Sequence, residues 1–83
     1  MSADNEILIR RKQNGLYEVR HMSVSSLVHE LVGKVPSIEE LTLQIVADDI
    51  DGQDKAMEKA QAFQLQIEED GGYVEYGIRK EYN

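Results

Sequence analysis

The segment Ile7-Leu8-Ile9-Arg10-Arg11-Lys12-Gln13-Asn14-Gly15-Leu16-Tyr17-Glu18-Val19-Arg20-His21-Met22 decides the fold. Two runs rich in β-branched and aromatic residues flank Asn14-Gly15, the strongest short-range signal for a β-hairpin. A two-residue loop would pair Ile9 with Arg20 and Arg10 with Val19, mixing charged and apolar groups on both faces. A three-residue loop, Gln13-Asn14-Gly15, puts Gly15 in the left-handed position of a G1 bulge. Ile9 then pairs with Val19, Arg10 with Glu18 and Arg11 with Tyr17. One face becomes apolar (Ile7, Ile9, Tyr17, Val19) and the other polar (Arg10, Lys12, Glu18, Arg20). Since a one-residue slip turns every side chain to the other face, the pattern selects the three-residue loop.

At the other end, residues 73–80 alternate, with Val74, Tyr76 and Ile78 on one side. They read as a third strand, placed beside the first in an antiparallel sheet of order 2-1-3. An isolated hairpin would be marginal without it or a covering helix. Residues 54–69 read as the main helix, because Ala56, Ala60, Phe63 and Ile67 recur on one stripe with Met57 beside them. Asp51 and Asp54 suit its N-terminal end as caps, and Gly71-Gly72 supplies a left-handed stop.

The middle is less regular. Ser25 or Ser26 can cap a short helix carrying Leu27, Val28, Leu31 and Val32, stopped by Gly33. Ser37 and Glu40 have capping-box spacing, opening a segment with Ile38, Leu41, Ile45 and Val46 on one face. The run 42–46 fits a strand as well as a helix by period; helix is the preferred reading. The expected fold is therefore α+β: a three-stranded antiparallel sheet packed against one long helix and one or two short ones. A single domain is expected over residues 7–80, with a flexible start at 1–6 and a short tail at 81–83.

The chain has 83 residues, no cysteine and a formal net charge of −7. Disulfides and thiolate metal sites are excluded. The charge is uneven: residues 1–36 hold four acids and five bases (+1), residues 37–83 twelve acids and four bases (−8). The polar start lacks an apolar signal region, and no apolar run approaches the roughly 20 residues of a membrane span. A cytoplasmic protein is expected, in the host cytoplasm if phage-encoded.

No motif carries a chemistry. Asp49, Asp51 and Glu58 fall at ligand positions of a calcium loop aligned on Gly52, but Ala47 occupies the first position and Lys55 the ninth. An acidic helix-start turn is the better reading. Ser23, Ser25 and Ser26 lie near His21 and His29 without a nucleophile elbow, and Gly71-Gly72 lacks the lysine of a phosphate loop. No catalytic residue, metal or cofactor is expected, and the chain reads as a non-enzyme.

Three surfaces remain. The polar hairpin face, with Arg10, Lys12 and Arg20 (Arg11 and His21 near its ends), is the one basic patch. Such strands can bind single-stranded nucleic acid, although Glu18 sits among the arginines and the aromatics lie on the opposite side. The acidic residues, including Glu39, Glu40, Asp48, Asp49 and Asp51, could present carboxylates to nucleic-acid machinery by mimicry. Tyr73, Tyr82, Leu16 and Leu65 fall outside the best core faces and, with a free strand edge, suit capture of a partner.

The stretches Ile9-Arg10-Arg11, Asn14–Val19 and Tyr73–Arg79 resemble short uncharacterised prokaryotic and phage proteins with an N-terminal hairpin, one helix and a final Glu-Tyr-Gly-Ile strand. The resemblance is confined to the two ends of the chain. It implies this architecture and a prokaryotic or viral origin, and no activity. The expected function is thus a small acidic protein-binding module whose partner is another protein or a second copy. A nucleic-acid role, by direct binding or acidic mimicry, is the alternative.

Overall fold

The expected hairpin forms the centre of the sheet in the computed structural model, which describes residues 5–24 and 37–82. Strand β1 (Asn5–Arg11) pairs antiparallel with β2 (Tyr17–Ser23), and Ile9 lies opposite Val19, Arg10 opposite Glu18, Arg11 opposite Tyr17. The loop follows from two backbone bonds: Gly15 N donates to Lys12 O at 3.0 Å, and Lys12 N to Leu16 O at 2.7 Å. Gly15 has φ +85°, as the left-handed bulge position requires. Leu16 N also donates to Asn14 Oδ1, an Asx turn that explains the asparagine.

Next come a single helical turn, α1 (Ile38–Leu41), a strand β3 (Thr42–Ile50), the long helix α2 (Gln53–Glu69) and a short strand β4 (Ile78–Glu81). Among the described residues the sheet has four strands in the order β3-β2-β1-β4. It is mixed: β3 runs antiparallel to β2, while β4 runs parallel to β1. This corrects two expectations. The run 42–46, for which helix is the preferred reading from sequence, lies in strand β3, and the helix of this segment is confined to 38–41. The C-terminal strand does sit beside the first, but parallel to it.

Both corrections have one cause. A strand, a helix and a strand in succession form a crossover, and such a unit joins parallel strands. Here β3–α2–β4 carries the chain from one edge of the sheet to the other, over the hairpin between them. Preferring helix over strand for 42–46 removed the strand that reveals the unit.

Helix α2 packs on the face of Ile7, Ile9 and Val19, which are fully buried together with Ala56 and Ala60. Each large aliphatic side chain there contributes about 1.5–3 kcal/mol. The two alanines let the helix approach the strands closely, and Met57, Phe63 and Ile67 pack around them. Its start lacks the expected carboxylate cap. The cap residue is Gly52, with φ +118° and no side-chain bond, although Asp54 does lie in the first turn. Its end is the expected glycine stop: Gly72 N donates to Ile67 O and Gly71 N to Glu68 O, with Gly71 at φ +86°.

The opposite face of the sheet is not the solvated polar surface expected of it. Glu6, Leu8, Glu18 and Met22 on this face are all buried. Leu8 and Met22 share it with the charged residues, and α1 packs near β2 there. The short helix expected from Ser25 or Ser26 to Gly33 lies outside the described residues.

The ends also differ in detail. β1 begins at Asn5, and Asn5 and Glu6 are buried. Residues 73–77 are irregular rather than strand, with Val74 buried and Tyr76 exposed. Asn5 holds this segment: its Oδ1 accepts from Glu75 N at 2.9 Å, and its backbone O from Tyr76 N at 3.0 Å. Tyr82 packs edge-to-face on Tyr17, with ring centroids 5.2 Å apart, rather than standing free. No helix among the described residues is long and apolar enough to cross a membrane.

Candidate functional site

The basic and acidic residues singled out from the sequence meet each other. Glu18 is 2% exposed and lies between two arginines on the strand face opposite α2. Arg10 donates to its Oε1 through Nε at 2.8 Å and also through Nη2; Arg20 donates from Nε to Oε2 at 2.8 Å. Arg20 continues through Nη1 to Thr42 Oγ1 at 2.9 Å, and Thr42 donates to Ile38 O at 2.7 Å. Glu39 stands 3.8 Å from Arg10. The network ties the hairpin to α1 and the start of β3, and a two-arginine clamp stabilises a buried carboxylate that alone would be costly.

Lys12 forms the second meeting point. Its Nζ lies 2.7 Å from both Asp48 Oδ1 and Asp49 Oδ1. Hydrogen bonds to these carboxylates hold the Lys12 ammonium above its usual range and Asp48 below its own. Asp49 sits at φ +51°, and its backbone N donates to Asp48 Oδ1. Arg10, Lys12, Arg20, Glu39, Asp48 and Asp49 therefore form two ion-pair groups, not opposed binding patches. Glu40 is exposed on α1, where its backbone N donates to the capping Ser37 Oγ at 3.1 Å. Asp51 is exposed before α2 and Tyr73 after it. Among the described residues, no three His, Asp or Glu converge as metal ligands, and no buried side-chain polar atom lacks a partner.

Sequence reading missed a surface at β3. Its nine residues face only Tyr17–Met22 of β2, so the pairing shifts register three times. Leu43, Val46 and the Asp48-Asp49 pair fall at the shifts, and each shift is a bulge that bends and twists the strand. β3 is an edge strand, and it exposes Leu43 (59%) and Ile45 (53%). Behind it, on the α2 side, an open groove of about 560 Å³ runs past His21, Gln44, Val46, Phe63, Gln66 and Ile67, with Lys59 and Asp70 at its margin.

His21 belongs to this groove, on the α2 face of the sheet and away from the arginines. Its ring stands edge-to-face with Phe63 at 5.3 Å. Asn5 Nδ2 lies 2.9 Å from His21 Nε2, and Asn5 Oδ1 is fixed as an acceptor by Glu75 N. An amide NH2 only donates, so Nε2 accepts and the ring is neutral with its proton on Nδ1. Burial pushes the imidazole below its ordinary pKa in the same direction.

The chain matches no protein-family model, no curated protein and no solved structure.

Proposed function

We propose that this protein is a non-enzymatic protein-binding module whose contact surface is the β3 edge and the groove behind it. The observation that supports this most is the contrast between the two edges of the sheet. β4 is four residues long and carries Arg79, Lys80 and Glu81, the short charged edge that discourages pairing. β3 instead has an uncharged stretch, Leu43-Gln44-Ile45-Val46-Ala47, with two large apolar side chains more than half exposed. An edge with no further strand beside it among the described residues offers main-chain groups to an added strand and side-chain contacts to orient it.

A nucleic-acid role has less support. Arg10, Lys12 and Arg20 already sit on carboxylates, and the molecule carries −7 overall, which repels a phosphate backbone. The protein-binding reading is tested with the double variant Leu43→Lys/Ile45→Lys. Both positions are exposed, so unfolding stability is expected to change by no more than about 0.5 kcal/mol. Association with the partner retained by the parent protein is expected to be lost. A variant that still folds and retains the same partner would overturn the reading.

A further inference from the structure

We propose that the β3 edge takes a short extended segment whose apolar core is flanked by lysine or arginine, and that it is closed to a second copy of this chain. The proposal rests on the protein-binding reading above and names the partner's chemistry. It stands on how charge and bulges are placed along β3.

Between Lys34 and Lys55 the chain has six carboxylates and no base: Glu39, Glu40, Asp48, Asp49, Asp51 and Asp54. They bracket the uncharged stretch 43–47, with Glu39 and Glu40 before it and Asp48, Asp49 and Asp51 after it. All five of these bracketing residues are exposed. Arg10 faces Glu39, and Lys12 offsets one charge of the Asp48–Asp49 pair, so Glu40 at one end and the aspartates at the other leave both ends net negative. In an antiparallel self-pair, the α1 turn carrying Glu40 in one copy would come near Asp48 and Asp49 of the other at both ends, and like charges brought together repel. A segment with basic ends places opposite charges at the same two positions.

The bulges limit how much strand can be added. Only Gln44 and Ile45 keep successive register with β2, opposite His21 and Arg20, before the shifts on either side. A long flat strand does not follow such a bent edge, whereas a short segment does. Recognition then depends on Leu43 and Ile45 and on the charges at the two ends.

The test titrates the full chain with two synthetic peptides of alternating valine and threonine, one with lysine pairs at both ends and one with glutamate pairs. Amide NMR shifts are followed at 43–47 and at 78–81. The lysine peptide is expected to shift 43–47 and leave 78–81 in place. Binding should be at least about tenfold tighter than for the glutamate peptide, and weaken several-fold as salt rises. Light scattering of the chain alone is expected to give a monomer at millimolar concentration. Equal binding of both peptides would overturn the charge selection while leaving the interaction surface standing. Absence of any shift at 43–47, or a dimer that forms through those residues, would overturn the proposal outright.

Discussion

Glu18 shows how one residue changes meaning between sequence and structure. In the sequence it interrupts a basic strand; in the fold it is the buried centre of a clamp formed by Arg10 and Arg20. Removing it strands two guanidinium groups against a covered sheet face. Glu18→Ala is expected to destabilise by about 2–3 kcal/mol, below the range for fully buried pairs because Arg10 is 27% exposed. Replacing all three residues together (Arg10→Met, Glu18→Leu, Arg20→Met) should recover most of that loss. Urea unfolding of the two variants checks both expectations, and a loss under about 0.5 kcal/mol for the single change would contradict the clamp. His21 supplies the acid sensitivity. Its folded pKa lies below the ordinary 6.5, through burial, and its Nε2 acceptor role requires the neutral ring. Below 6.5 the unfolded chain therefore takes up a proton that the folded chain resists. Stability from this site should be full above that pH and fall as pH drops toward the depressed folded value. His21→Gln should flatten that part of a stability-versus-pH curve. An unchanged curve would contradict the assignment.

Among the elements, the regular ones were legible and the interrupted ones were not. The hairpin register followed from Ile9, Val19, Arg10 and Glu18, since only one loop length separates charge from apolar groups. Helix α2 followed from its stripe and its glycine stop. That stop gives a direct check. Gly71 has φ +86°, so Gly71→Ala should lower stability by about 1 kcal/mol. A Cβ on Gly72 would lie 2.8 Å from Ile67 Cγ2 and 3.1 Å from Ile67 O, so Gly72→Ala should cost about 1–2 kcal/mol through displaced packing. Thermal melts of both variants measure this, and an unchanged melting temperature in either would contradict the cap. β3 was hidden because its bulges break the alternation that marks a strand: Leu43, Ile45, Val46 and Ala47 read as an apolar run of no clear period. β4 was overextended because Gly77, at φ +68°, breaks the extended backbone between Tyr76 and Ile78, where the strand begins. The ion pairs of Lys12 with Asp48 and Asp49 join residues 36 and 37 positions apart, a separation that no local pattern reports.

At the scale of the whole molecule, the mixed sheet gives each edge a different character. The crossover puts β3 and β4 at opposite edges with the hairpin between them. One edge is short and charged; the other is longer, bent and apolar at its middle. Arg10, Lys12 and Arg20, expected to form a basic patch, are paired with carboxylates of the same molecule and link the hairpin to α1 and β3. The excess of carboxylates then brackets the apolar edge, which suits a basic partner and opposes a second copy. A photo-reactive amino acid at position 45, compared with one at position 80 on the opposite edge, tests this most directly in the native cells. The expected result is a covalent adduct with another protein from position 45, lost on adding Leu43→Lys, and none from position 80. Adducts formed equally from both edges, or only with a second copy of the chain, would contradict the assignment of β3 as the binding edge for a different protein.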